Sequence, residues 1–179
     1  MPISQPARFI SDLENIMPGR DDCYKYQEKC KDIFEYLFSP PLGKPHYENR
    51  DETNTNRRDI IFPNYAENGF WKFLRNKYHA DYIVIDSKNY KDDIKKEEVL
   101  QISNYLKSFG TGLFGVILNR NQPSKGAFVT RREHWIAYQK LIIFLNDSDL
   151  KQMLKTKEDN IISPEEVIKE KIEQFRLEL

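Results

Sequence analysis

The chain is predicted to fold as an α/β sandwich, and three observations lead there. Short apolar runs of strand length alternate with helical patterns along its length. Each run is closed by a turn or breaker residue. With 179 residues, 39% hydrophobic and 13% aromatic, the chain can bury one core of ordinary domain size and does not have a disordered composition.

The elements follow in order. Ala7 to Met17 is amphipathic, and Pro18-Gly19 breaks it; residues 1–22 are expected as an N-terminal extension. Asp21 or Asp22 caps a helix running to Phe38, where Ser39-Pro40-Pro41 stops it. Its apolar stripe is Tyr26, Cys30, Ile33, Phe34, Leu37 and Phe38, with Glu28 off the stripe's centre and Glu35 a second acid. An edge strand is expected around His46-Tyr47-Glu48, then a strand over Arg57-Arg58-Asp59-Ile60-Ile61-Phe62-Pro63. Tyr65 to Lys77 is a short helix, and Tyr82 to Tyr90 holds a buried β-branched strand. Lys95 to Phe109 is a helix with Val99, Ile102, Leu106 and Phe109 inward. After Gly110-Thr111-Gly112 come a strand over Leu113 to Leu118, a loop over Asn119 to Ser124, and a helix over Thr130 to Gln139 packed through Trp135 and Tyr138. Leu141 to Leu145 is the last strand. Asp147 or Ser148 caps a helix through Leu154, and Ser163-Pro164-Glu165-Glu166 opens a C-terminal helix within 155–179.

The chemistry concentrates at Asp86-Ser87-Lys88. Side chains two apart on a strand share a face, so a carboxylate and an ammonium stand together where a buried run ends. Burying such groups is costly unless they are paired or employed.

Asp59 entering one strand, Asp86-x-Lys88 on the next, Glu28 on the preceding helix and Gln101-x-x-x-Tyr105 on the following one form an ordered set. It resembles the PD-(D/E)XK nuclease superfamily, and the Lys88-Asn89-Tyr90 form with the Arg-rich Asp59 strand looks like that of prokaryotic defence-type nucleases. Arg58 stands where the proline of the motif's name would be, and Asp86 replaces the commoner Glu; both positions vary in the superfamily. The resemblance spans roughly the first two-thirds of the chain. It implies a single nuclease-like domain over 1–179, a restriction-endonuclease-like three-layer sandwich with a central mixed β-sheet flanked by helices.

It also implies a Mg²⁺-dependent deoxyribonuclease acting in restriction, repair or antiphage defence, with Mn²⁺ as substitute. Glu28, Asp59, Asp86 and the Ser87 carbonyl would hold metal, because hard cations prefer oxygen ligands. Lys88 would orient the attacking water and steady the developing charge. Gln101 and Tyr105 would hold the site or the phosphate. Arg57, Arg58, Asn89, Tyr90 and Arg120 would contact the DNA substrate, and a homodimer or a targeting partner would supply double-strand cutting or specificity. The rival is a silent nuclease-like domain serving as a nucleic-acid-binding or assembly module.

Composition restricts these readings. Twenty-eight basic and 28 acidic residues give zero formal net charge, which argues against a protein that coats DNA non-specifically. Local clusters still form: Arg57, Arg58, Lys88, Lys91, Lys95, Lys96, Arg120, Lys125, Arg131 and Arg132 flank the motif segments. Mean hydropathy is −0.73, no apolar run reaches membrane-span length, and the N-terminus lacks a secretory pattern, so a soluble cytoplasmic protein is expected. Cys23 and Cys30, seven apart on one helix, are separated by about 10 Å of rise and are expected as free thiols. His46, His79 and His134 show no metal-ligand spacing.

Overall fold

In the computed structural model, which describes residues 3–47 and 60–179, one five-stranded sheet runs through the molecule between two helical layers. The strands are β1 (His46–Tyr47), β2 (Ile60–Pro63), β3 (Tyr82–Lys88), β4 (Phe114–Asn119) and β5 (Leu141–Asn146), in that spatial order. The first three are antiparallel, and β3, β4 and β5 are parallel. The sheet is therefore mixed, and β3 is its junction, with an antiparallel neighbour on one side and a parallel neighbour on the other. The expected α/β three-layer sandwich is the observed one.

The seven helices among the described residues are α1 (Gln5–Asn15), α2 (Cys23–Phe38), α3 (Gly69–Tyr78), α4 (Lys96–Tyr105), α5 (Lys125–Tyr138), α6 (Asp147–Asp159) and α7 (Glu165–Leu177). Their starts follow local chemistry. Ser4 caps α1 by accepting from the Ala7 N–H at 3.3 Å, and Ser124 caps α5 by accepting from Ala127 at 3.2 Å. Asn146 and Asp149 cap α6 reciprocally. His79, Gln139 and Asn160 end α3, α5 and α6 in the left-handed conformation.

Strand alternation sorts the two cores. Ile83 and Ile85 of β3, Val116 and Leu118 of β4, and Ile143 and Leu145 of β5 face a large core with α1, α2, α3, α6 and α7. Val84, Ile117, Ile142 and Phe144 point the other way, onto Val99 and Ile102 of α4 and Ala127 of α5. Asp86 and Lys88 have the parity of Val84, so they face α4. The expected N-terminal extension is built in: Phe9, Leu13 and Ile16 are buried in the large core.

Several boundaries moved. α4 ends at Tyr105, because Leu106 is extended and Lys107 bridges to Gly112 in a tight turn. Phe109, expected inward, stands fully exposed on that turn. Gly112 has φ +97°, and a Cβ there would lie 2.2 Å from the His79 carbonyl oxygen, so the turn depends on glycine. α5 begins at Lys125, five residues before the expected start, and Tyr138 is exposed where packing was expected. The segment 155–179 is divided between the end of α6 and α7.

Candidate functional site

At the C-terminal end of β3 a lysine is buried with an acid. The Lys88 side chain is 1% exposed and that of Asp86 3%, with Nζ 2.8 Å from Oδ2. Lys88 also donates to Gln101 Oε1 at 3.2 Å. The parity argument thus holds in three dimensions, and one member of the Gln-x-x-x-Tyr pattern reaches the lysine. Close packing brings α4 this near. Gly115 on β4 has no side chain, and a Cβ there would stand 2.9 Å from Ile102 Cδ1, one residue after Gln101. Asn119 on β4 is the register partner of Lys88 and shares its face; it is 2% exposed, and its amide donates to Asn121 O at 3.1 Å. No motif pointed to Asn119, since only the β3–β4 register makes it a neighbour.

Lys88 forms part of the floor of an open cleft of about 820 Å³. One wall is the loop into α2 with its first turns, including Arg20, Tyr24 and Gln27; the other is the β3–α4 connection, Asn89 to Glu98. Tyr90 donates to Glu98 at 3.4 Å, and the second Glu98 oxygen caps α4 through the Lys95 N–H at 2.9 Å.

Asn89 and Arg120, expected as substrate contacts, have internal partners. The buried Asn89 amide donates to Met17 O at 2.8 Å and Gly19 O at 2.9 Å, and its carbonyl accepts from Arg120 at 3.2 Å. Arg120 pairs with Asp147 at 2.7 Å, donates to Leu13 O at 3.3 Å, and lies 4.8 Å over the Tyr26 ring. Tyr26 completes the network by donating to Asp147 at 2.9 Å. Burial raises the Asp147 carboxyl above its ordinary value, against Arg120 and Tyr26, which pull it down. These groups hold the 17–19 segment against β3 and so build one wall of the cleft. Arg131 also leaves the basic cluster: it is buried beneath Phe128, Phe144 and Phe175.

Glu28 lies on α2, in the layer opposite α4, bonded to Tyr47 and to Lys31 at 2.9 Å. It lines a separate groove with Asp12, Asn15, Lys29 and Asp32. Burial and then Glu28 push the Tyr47 hydroxyl above its usual range. The α2 residue that lines the Lys88 cleft is Gln27, its neighbour. One residue of helix turns a side chain by about 100°, so a one-position difference selects a different groove. Ser87 lines the cleft, with its Oγ buried on the α2 face of β3. Tyr105, on the last turn of α4, accepts from Thr111 through its carbonyl at 2.8 Å. Asp59, Arg57 and Arg58 lie outside the described residues. Among the described residues no three His, Cys, Asp or Glu side chains converge as a metal-holding group. Both cysteines are free, and burial raises the Cys30 thiol far above its ordinary value.

Comparison with known proteins gives one partial likeness. The chain is 28% identical over 119 residues to the "Putative transposon gamma-delta 80.3 kDa protein" of Escherichia coli (strain K12), which covers 65% of this chain and 16% of that relative. The chain thus corresponds to a small part of that protein's length. No family model and no solved structure matches it.

Proposed function

We propose that this protein is a metal-dependent nuclease of the PD-(D/E)XK type, hydrolysing phosphodiester bonds of DNA. The observation that supports it is the buried Asp86–Lys88 pair, tied to Gln101, with Lys88 bordering a cleft at the junction strand of a mixed sheet. Crevices outside the carboxyl ends of strands are recurrent ligand sites in α/β folds. A buried, paired lysine beside a carboxylate is a costly arrangement that function can explain. The relative's name associates it with a transposon and names no chemistry, so the proposal rests on the pair.

The donor chemistry suits Mg²⁺ or Mn²⁺: Asp86 and the Ser87 carbonyl are hard oxygen donors, and Asp59 is joined directly to Ile60, the β2 residue that pairs with Ile85. A bound ion would lower the pKa of water and neutralise charge on the phosphate. Lys88 is held in one position by Asp86 and Gln101 beneath the cleft lining, where its ammonium would steady charge on a phosphate bound above it. Gln101 orients that ammonium.

The second reading, a silent module that binds or assembles, draws on the position of Glu28 in a different groove and on the lack of a three-acid cluster among the described residues. Incubation of plasmid and single-stranded DNA with Mg²⁺ or Mn²⁺, beside EDTA and Asp86→Asn, tests both. Metal-dependent cutting by wild type that disappears in Asp86→Asn supports the nuclease. Absence of cutting, together with absence of Mn²⁺ binding, favours the silent module. Asp86→Asn is preferred to alanine because it keeps an oxygen beside Lys88.

A further inference from the structure

We infer that the cleft above Lys88 takes an unpaired nucleic-acid strand and holds it mainly by base stacking, on Tyr24 above all. This rests on the proposed nuclease reading and adds a substrate class to it. The argument begins with charge. The side chains lining the cleft include Arg20, Lys91 and Lys95 as exposed cations, against Asp92, Asp93 and Glu98. Lys88 is already paired with Asp86. Tight duplex binding draws on about six to ten phosphate contacts. A wall with three exposed cations facing three acids cannot supply that term.

Aromatic surface is the alternative source of affinity. Tyr24 is 67% exposed on the first turn of α2, on the ridge between this cleft and the Glu28 groove. Tyr90 lines the opposite wall, directly after the Lys88-Asn89 dipeptide, with its hydroxyl directed to Glu98. One exposed ring, Tyr24, and the half-buried Tyr90 beside a few cations suit the stacking by which single-strand binders hold bases, and stacking tolerates any base. The dimensions agree, since about 820 Å³ falls within the ~300–1,000 Å³ of sites that enclose compact ligands. That volume suits a short stretch of unpaired strand. The wall that carries Tyr24 is anchored through Asn89, so the platform has a fixed relation to Lys88.

The test is fluorescence anisotropy of a labelled 12-nucleotide strand, as DNA and as RNA, and of the same DNA as a blunt duplex. It is done in EDTA so that binding is read without cleavage. The expected result is tighter binding of the DNA strand than of the duplex by about tenfold or more, with a log–log salt slope no steeper than about −2 for three phosphate contacts. Tyr24→Ala should weaken strand binding by about 5- to 150-fold, and Tyr24→Phe should retain it. Comparable binding of the RNA strand supports stacking as the main term. Duplex binding equal to or tighter than strand binding, no strand binding, or an unaltered Tyr24→Ala would overturn the inference. Failure of the nuclease reading looks different: strand binding with the Tyr24 dependence, but no metal-dependent cutting by wild type.

Discussion

Two buried cations occupy the α4–α5 side of the sheet, and they are held in opposite ways. Lys88 is neutralised by a carboxylate at 2.8 Å and an amide oxygen at 3.2 Å. Arg131 lies under three rings, with its guanidinium 4.2 Å from the centroid of Phe175, 4.7 Å from Phe144 and 5.1 Å from Phe128. Burial lowers the Arg131 guanidinium to about 10, with Glu178 opposing. The rings offer their negative faces to a weakly hydrated, planar ion, which an ammonium could not exploit as well. The first arrangement keeps a point charge buried beneath the lining of an open cleft. The second fills the gap between α5, β5 and α7 with a flat cation and leaves nothing for a substrate. Burial alone therefore does not separate the two cations; their partners do, a carboxylate and an amide oxygen for Lys88 and three rings for Arg131.

The contrast can be broken most directly at the ion pair. Asp86→Ala leaves a buried ammonium without its carboxylate and should lower unfolding free energy by about 3–5 kcal/mol in urea titration. Wild-type stability in that variant would mean that Lys88 escapes to solvent. Replacing both members at once, Asp86→Leu with Lys88→Met, should recover stability to within about 1 kcal/mol of wild type, since no uncompensated charge remains. On the proposed nuclease reading, that double variant should still lack metal-dependent cleavage, which separates stability from chemistry.

Arg131→Met comes next. Glu178 acts on Arg131 through its charge but forms no ion pair with it, so a single substitution should cost only about 1–2 kcal/mol, chiefly the lost ring–cation contacts. A loss as large as that of Asp86→Ala would show that the ring site is as demanding as the ion pair. For chemistry the order reverses. If the proposed nuclease activity holds, Lys88→Met should reduce cleavage by about 10²–10³-fold, a typical effect of removing one charge-stabilising donor, and Arg131→Met should leave the rate unchanged.

The smallest effect involves a third polar cluster in the same layer. Ser103 Oγ lies 2.6 Å from His134 Nδ1, and Lys140 donates to the Ser103 carbonyl oxygen at 2.7 Å. Burial and the nearby Lys140 charge lower the His134 pKa below 6.5, while Glu133 opposes them. The folded state thus resists protonating this ring more than the unfolded chain does. Stability is fully present above pH 6.5 and declines as pH falls toward the depressed value. A melting temperature that drops across that window in wild type, but less in His134→Gln, would verify the sign.

Local pattern made much of the molecule legible. The β-branched run of β3, the stripe of α2 and the Ser-Pro-Glu-Glu start of α7 are all readable within a dozen residues, because strand and helix periods fix which side chains share a face. Asp86 and Lys88 belong to that class: two residues apart on one strand, they had to be neighbours. Phe109 was misread because Leu106 breaks the helical period and the Lys107–Gly112 bridge turns the ring outward. The early start of α5 was missed because Lys125-Gly126-Ala127 carries little apolar periodicity, although Ser124 is a good cap.

The roles of residues further apart depended on packing between elements. Asn89 and Arg120 look like surface polar residues in the chain, yet one network with Leu13, Met17, Gly19, Tyr26 and Asp147 takes them inside. The same distance effect separates Glu28 from the Lys88 cleft and puts Gln27 there. It likewise makes Asn119 the neighbour of Lys88 through a strand register. Sequence by itself determined the alternation of elements and the Asp86–Lys88 pair, because both follow from backbone periods of two and 3.6 residues. Only the tertiary structure decided which cations face a cleft, because that depends on how separate elements meet and which charges their contacts neutralise.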